Sequence, residues 1–260
     1  MPPYQHPYLV ALSGLDDRLL DDTCEIAHSE RLAAQEGGIS GNGGAAHRIG
    51  GWLQSTMHPE NLAEHLSTLF KVNTAAFTSA SYLRLVDRRA LALLRHIAGD
   101  MRVREQFGRL QRWVYLDAFG SLVDLSSARE APLPLRLSAE EWRTMEKSEA
   151  IHRTMAQWLG EAATADAALE RKFNDIYGTV QLAVAEGEQA GKQWPHRFRG
   201  LADYTVYAAM CLLYPGFATI ETVSKMLTHP GNADDPPELL RHLHAELKQL
   251  AAADFESRRS

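Results

Sequence analysis

Cysteine is almost missing from this chain: among 260 residues only Cys24 and Cys211 occur. Two cysteines so far apart exclude a disulfide scaffold and offer none of the close spacings of a thiolate zinc site. Strong charge of either sign is also lacking. The formal net charge is −6, from 27 basic and 33 acidic residues, so the field of the whole molecule neither demands nor forbids a nucleic-acid partner. Long apolar runs are absent too. The longest, "YTVYAAMCLLY" at 204–214, falls short of the roughly 20 residues that span a bilayer. The opening "MPPYQHPYLVALSGLDDRLL" has neither the basic start nor the apolar region of a secretory leader. A reducing, cytoplasmic location with no membrane contact is therefore expected. What remains is a composition of 45% hydrophobic and 23% charged residues, sufficient for one large domain or two modest ones with a buried core.

The first half reads as short strands alternating with helices, the second as helices alone. "YLVAL" (Tyr8 to Leu12), "RIGGWLQST" (Arg48 to Thr56), "SYLRLV" (Ser81 to Val86) and "RWVYL" (Arg112 to Leu116) are short, rich in β-branched or aromatic residues and bounded by turn formers. "DAFG", Asp117 to Gly120, predicts a hairpin into "SLVDL". Between the strands lie two helices: "PENLAEHLSTLF", with Pro59 in its first turn, and "RRALALLRHI", with Leu91, Leu94 and Ile97 on one face. After "REAPLPLRL" every pattern has helical period, because Pro132 and Pro134 interrupt regular structure. The expected fold is thus α+β, with a mixed α/β domain over residues 1–130 and a helical lobe over 131–260. In that lobe "LSAEEW" predicts a capping box between Ser138 and Glu141. Leu169, Phe173, Ile176, Tyr177, Val180 and Val184 share a helical face. "GLADYTVYAAMCLLY" is apolar nearly all round and predicts a buried central helix. "DPPELLRHLHAELKQL" predicts a last helix capped by Asp235, with Leu239, Leu243, Leu247 and Leu250 as its stripe.

"GGISGNGGAAHRIGGW", 37–52, holds seven glycines and a formal G-x-G-x-x-A at Gly41, Gly43 and Ala46. That fingerprint binds pyrophosphate only when it follows a strand and opens a helix, so that free N–H groups and the helix dipole meet the anion. Here a charged, helix-like segment precedes it and the Trp52 strand follows, and no Gly-Lys-Ser/Thr completes a P-loop. A connector is the stronger reading, and a nucleotide-using enzyme is kept as an alternative. "GISG" lacks the second glycine of a nucleophile elbow at the needed offset. His242 and His244, two apart on a helix, point to nearly opposite sides. In "HPENLAEH", His58 is expected to cap a helix, and Glu60 and His65 do not complete a ligand set. No catalytic residue, cofactor site or metal site is assigned, and the chain is read as non-enzymatic.

One local segment is strongly basic. Between Arg84 and Arg112 stand eight arginines (84, 88, 89, 95, 102, 104, 109, 112) against Asp87, Asp100 and Glu105, a local net of +5. Such a segment either meets phosphates or an acidic protein surface, or forms internal ion pairs along a solvated face. A nucleic-acid-binding protein using this patch is the first alternative function. Phe107, Trp113 and Tyr115, its aromatics, read as core rather than as stacking platforms.

The same segment resembles a known family. "SYLRLVDRRALALL" is similar to the strand-to-helix signature R-(F/Y)-(Y/W)-D-P-R-(V/L) of the type VI secretion adaptor or effector-chaperone proteins, a family built on a domain of unknown function. Arg84, Asp87 and Arg89 match, while Arg88 stands where proline is usual. "EQFGRLQRWVYLDAFGSL" resembles the next block, an F-G-P followed by an aromatic strand and a glycine turn. Phe107, Gly108, Trp113 and Gly120 fit, and Arg109 replaces the proline. "HPYLVAL", "GGWLQSTMHPENLAEHLSTLF" and "LRLSAEEWRTME" resemble further blocks in the same order, so the resemblance extends over almost the whole chain. It implies a bacterial chaperone or adaptor that binds a toxic effector in the cytosol and helps load it onto the secretion spike. Its partners would be that effector and a spike protein; nucleic acid, membrane and small-molecule substrate are not expected. Within the signature, Arg84 and Asp87 are expected to fix the strand–helix corner by a charge-assisted bond, Asp87 also capping the helix that starts at Arg88. Arg88, Arg89 and Arg95 are expected to form an exposed partner-binding surface.

Overall fold

The computed structural model describes residues 8–36, 48–74, 81–117, 121–162, 175–229 and 238–257. The fold is α+β, in two compact units: residues 1–32 with 45–148, and residues 33–44 with 149–260. The division comes after Ser148, later than the sequence boundary at residue 130. The strand and helix that follow Pro134 pair and pack with earlier elements, which proline positions along the chain do not reveal.

The first unit contains α1 (Arg18–Glu36) as far as Leu32, β1 (Trp52–Ser55), α2 (Pro59–Leu69), β2 (Lys71–Thr74), β3 (Ser81–Tyr82), α3 (Arg88–Ala98), α4 (Asp100–Glu105), β4 (Leu110–Leu116), β5 (Leu122–Ser126), β6 (Arg136–Leu137) and α5 (Ala139–Glu146). β1, β4 and β5 form an antiparallel sheet in that order, and β2 lies between antiparallel β3 and parallel β6. Alternation along β4 buries Trp113 and Tyr115 and leaves Arg112 out, the period-two pattern of a half-covered strand. Leu53, Trp113 and Leu125 lie in register across the three strands, and Phe107 packs with its ring centroid 6.0 Å from that of Trp113. The expected hairpin is present as the β4–β5 pair, although the turn residues 118–120 lie outside the described residues. "YLVAL" forms no strand: Tyr8 to Leu12 are irregular and exposed. The strand expected over 81–86 ends at Tyr82, because the chain turns at once to bring the Asp87 N–H to the Arg84 carbonyl (2.8 Å).

α3 follows its sequence reading closely. Leu91 and Leu94 are fully buried, joined by Leu93 and Ala98, while Ile97 is half-buried. Burying each such leucine contributes roughly 1.5–3 kcal/mol. α5 opens with the expected capping box, Glu141 N–H donating to Ser138 Oγ (3.1 Å) and Ser138 N–H to Glu141 Oε2 (2.6 Å).

The second unit contains α6 (Ser148–Ala162), α7 (Ile176–Gln193), α8 (Leu201–Leu213), α9 (Glu221–Thr228) and α10 (Leu240–Ser257). α8 is the central helix: Val206, Tyr207, Ala208, Ala209, Met210 and Leu212 are all buried. α7 lies close against it because Gly187 and Gly191 present no side chain; a Cβ at Gly191 would fall 2.5 Å from the Tyr204 ring. Ile176, Val180 and Val184 are buried as expected, whereas Tyr177 is half-buried and Leu169 and Phe173 lie outside the described residues. On α10 the inner stripe is Leu240, Leu243, Leu247 and Ala251, one residue off the expected stripe at each end. Its proposed cap, Asp235, lies outside the described residues. Among the described residues no helix is long and apolar enough to cross a membrane.

Buried polar groups hold the ends of these helices. Asp203, with 0% exposure, accepts from the backbone N–H groups of Arg199 and Gly200 at 3.0 and 3.2 Å. From α10 it accepts the Arg241 backbone N–H and both arms of the Arg241 guanidinium at 2.9–3.1 Å. Arg197 donates to the carbonyls of Met226, His229 and Glu238, tying the end of α9 to the chain entering α10.

Candidate partner-binding surface

The corner between β3 and α3 is built by Asp87. Its backbone is extended and its carboxylate accepts the Arg89 N–H (3.1 Å), capping α3 as expected. The charge-assisted partner of that carboxylate is Arg89, which grips it with Nε at 2.9 Å and Nη2 at 2.8 Å. Arg84 is exposed, and what ties it into the corner is its backbone carbonyl. Two residues of separation across a turn orient the Arg89 fork toward its own cap, while Arg84 sits at the centre of a tight turn closed by the Leu85 N–H donating to the Leu83 carbonyl (2.9 Å) and its side chain is exposed. Asp87→Ala removes a cap and leaves Arg89 without its carboxylate, and should cost about 1–2 kcal/mol in urea unfolding; a loss below about 0.3 kcal/mol would show the corner to be held by backbone alone.

The three arginines expected to form a docking surface do not share one. Arg88 is 4% exposed and donates from Nη2 to the Ala27 carbonyl of α1 at 2.7 Å. Arg89 is taken up by Asp87. Arg95 donates to both carboxylate oxygens of Asp100 (2.8 and 2.9 Å) and to the buried Tyr115 hydroxyl (2.7 Å). Burial pulls the Arg95 guanidinium down, but Asp100 and Tyr115 outweigh it and raise its pKa. The position where the signature has proline is the first residue of α3. No intrahelical bond needs its N–H there, so arginine fits, and its long side chain reaches α1.

Three other arginines of the patch are also engaged. Arg102 donates to Glu141 (2.6 Å) and to the Arg136 carbonyl, Arg104 to the Ser126 carbonyl (2.7 Å), and Arg112 pairs with Asp124. Glu141 and Asp124 lie outside the 84–112 segment in sequence and offset part of its charge in space. Arg84 and Arg109 are the exposed pair that remains from the segment's eight arginines with no side-chain bond described above.

The glycine stretch divides in two. Gly41, Gly43 and Ala46 lie outside the described residues. Gly50 and Gly51 are close-approach positions: a Cβ at Gly50 would meet the Val86 carbonyl at 2.3 Å, and one at Gly51 the Val114 carbonyl at 2.5 Å.

Among the histidines, His58 occupies the N-cap position of α2 without a side-chain cap bond, and His65 contacts the Phe107 carbonyl at 2.7 Å. His244 belongs to a cluster that sequence spacing missed, since its partners are on another helix. Glu161 of α6 receives His244 Nε2 at 3.2 Å, Gln157 at 3.1 Å and Lys248 at 2.8 Å. Burial pushes the Glu161 carboxyl up, yet His244, Lys248 and Gln157 together overrule it and hold it at about 2. A carboxyl depressed in the folded state stabilises fully above its unfolded value and loses that contribution as pH falls toward the folded one. Glu161→Gln should therefore flatten the loss of helical-unit stability between about pH 4.5 and 2 in acid titrations followed by circular dichroism; an unchanged acid transition would remove Glu161 from this role.

Neither cysteine is set up as a nucleophile. Burial and then Asp21 raise Cys24, and burial and then Glu186 raise Cys211, so both favour the thiol over the reactive thiolate. Among the described residues no three His, Cys, Asp or Glu side chains converge to hold a metal ion. No protein-family model, no curated protein and no solved structure matches this chain.

Proposed function

We propose that the protein is a non-enzymatic adaptor that holds a type VI secretion effector in the cytosol and carries it to the secretion spike. The observation behind this reading is that the residues carrying the sequence resemblance have concrete architectural work in one unit. Asp87 caps α3, Arg89 locks Asp87, and Phe107 packs on Trp113. Gly108 takes the positive φ of 54° that its turn requires. A signature of this kind specifies a scaffold, and a scaffold of fixed corners with variable surfaces suits a carrier that must match one cargo. The nucleic-acid alternative is weakened because six arginines of the basic segment are spent on carboxylates and carbonyls within the first unit.

Co-expression with any toxin that a neighbouring gene encodes, followed by affinity purification of the tagged chain, tests the proposal. A stable complex that withstands moderate salt is expected. A chain that captures neither toxin nor spike protein, or that binds DNA or RNA with affinity falling steeply with salt, would displace the adaptor reading.

A further inference from the structure

Nowhere along β2, β3 or β6 does the sequence place an acid: the strands read "KVNT", "SY" and "RL". Their pairing gathers what they do carry. Lys71 lies opposite Tyr82 in the antiparallel β2–β3 ladder, and Asn73, two residues along β2, lies opposite Arg136 in the parallel β2–β6 ladder. Because side chains alternate across a sheet, Lys71, Tyr82 and Arg136 take positions on one face. Burial agrees with the register. Val72 and Leu137, at the alternate positions, are buried, whereas Lys71, Tyr82 and Arg136 are exposed, Tyr82 by 54%. Arg84, in the turn that ends β3, is exposed between buried Leu83 and Leu85.

These cations differ from other arginines of the same unit. Arg89, Arg95, Arg102 and Arg112 each meet a carboxylate. Lys71, Arg84 and Arg136 meet none among the described residues. Asp87 and Glu141, each within a few residues of one of these arginines, are already committed. Asp87 accepts the Arg89 N–H and guanidinium, and Glu141 accepts Arg102 and the Ser138 N–H. Beside Lys71, the Tyr82 ring stands edge-on to that of Phe70, with centroids 5.9 Å apart and planes at 77°, which steadies it. Tyrosine and arginine are also among the side chains that most often dominate interface energies. Three uncompensated cations about a steadied, half-exposed ring suit an anionic partner with an apolar spot.

Carboxylates fit this face better than phosphates. A polyphosphate approaches a chain of net charge −6, which opposes it at long range, and one ring offers no row of platforms for successive bases. Arginine forks take carboxylates in two parallel bonds. Diagonal neighbours on adjacent strands, such as Lys71 and Arg136, stand about 7–8 Å apart. Alternate side chains of an extended segment are spaced by roughly 7 Å, so acids at alternate positions match that interval.

We infer that the face bearing Lys71, Tyr82, Arg84 and Arg136 binds an extended acidic segment of another protein, with carboxylates at alternate positions and an apolar side chain over Tyr82. The adaptor reading enters only in naming the effector as owner of that segment.

The probe is a short fluorescein-labelled peptide in which glutamate alternates with threonine and one leucine takes a central glutamate position, titrated with the full-length chain by fluorescence anisotropy. The same peptide with glutamine for glutamate, and an oligothymidylate of equal charge, are the comparisons. The acidic peptide should bind at least about tenfold tighter than either. Lys71→Glu combined with Arg136→Glu should weaken it about thirtyfold or more, and Lys71→Gln combined with Arg136→Gln about tenfold. Tyr82→Ser should cost about fivefold. Arg109→Glu, at an exposed arginine outside these strands, should cost less than about twofold. Equal binding of the glutamate and glutamine peptides, preference for the oligothymidylate, or a Lys71→Gln, Arg136→Gln chain that keeps its thermal midpoint and binds like the parent would each overturn the inference. If the acidic peptide binds this face and no toxin co-purifies, the surface stands and the adaptor reading alone fails. A toxin that co-purifies equally well with the Lys71→Gln, Arg136→Gln chain would leave the adaptor reading standing and remove this face as its dock.

Discussion

Gly51→Ala should cost the first unit about 4 kcal/mol, enough to lower its thermal midpoint by more than about 10 °C. Two costs combine. Gly51 has φ +139°, a conformation that a side-chain-bearing residue adopts only under strain, and its added Cβ would fall 2.5 Å from the Val114 carbonyl and 2.7 Å from Trp113 Nε1. Neither obstacle can yield cheaply: Val114 is paired to Trp52 in the β1–β4 ladder, and Trp113 is the buried centre of that sheet. Gly99→Ala separates the two costs, because Gly99 has φ +84° with nothing within 4 Å of the added atom; it should lose only the strain, about 1 kcal/mol. Gly14→Ala, with open space and no positive φ, should stay within about 0.5 kcal/mol of the parent. Far-ultraviolet and tryptophan-region circular dichroism during heating would rank the three. Equal losses at positions 51 and 14 would refute the close-approach argument.

Asp203→Ala should destabilise the second unit by about 3–5 kcal/mol in urea unfolding, the range for breaking one side of a buried ion pair. The carboxylate is inaccessible to water and accepts five hydrogen bonds, two from the chain entering α8 and three from Arg241 of α10. Removing it leaves the Arg199 and Gly200 N–H groups uncapped and the half-buried Arg241 guanidinium without its carboxylate. Asp203→Asn keeps an acceptor for the cap and should recover part of the loss. In a double-mutant cycle, Arg241→Met should cost much less in the Asp203→Ala background than alone. Additive losses would mean that the two residues act independently.

Local patterns made several elements legible before any coordinates. Pro59 in a first turn, Ser138 three residues ahead of Glu141, and Asp87 ahead of "RRALALL" each specify a helix start through bonds within one turn of chain. The β-branched and aromatic content of β4 and the uniform apolarity of α8 announced a strand and a buried helix for the same reason. The sequence erred where a partner lies far away along the chain. "YLVAL" has strand composition and no ladder, because hydrogen-bonding edges are supplied by other segments. The stripe of α10 shifted to Leu240 and Ala251 because the helices around it, rather than its own period, select which residues face in.

The candidate surface was misread on the same ground. Charge counts along 84–112 describe a basic segment, yet Glu141 and Asp124 approach it only in the folded chain, and Arg88 looks like a surface residue until α1 is laid across it. By itself the sequence determined the α+β class and several helix starts, since these depend on local periodicity and on groups a few residues apart. The tertiary structure alone decided which arginines remain exposed, where the units divide and what Glu161 and Asp203 hold together. Those outcomes turn on Coulomb attraction and desolvation between residues that chain order keeps apart and folding brings within 3 Å.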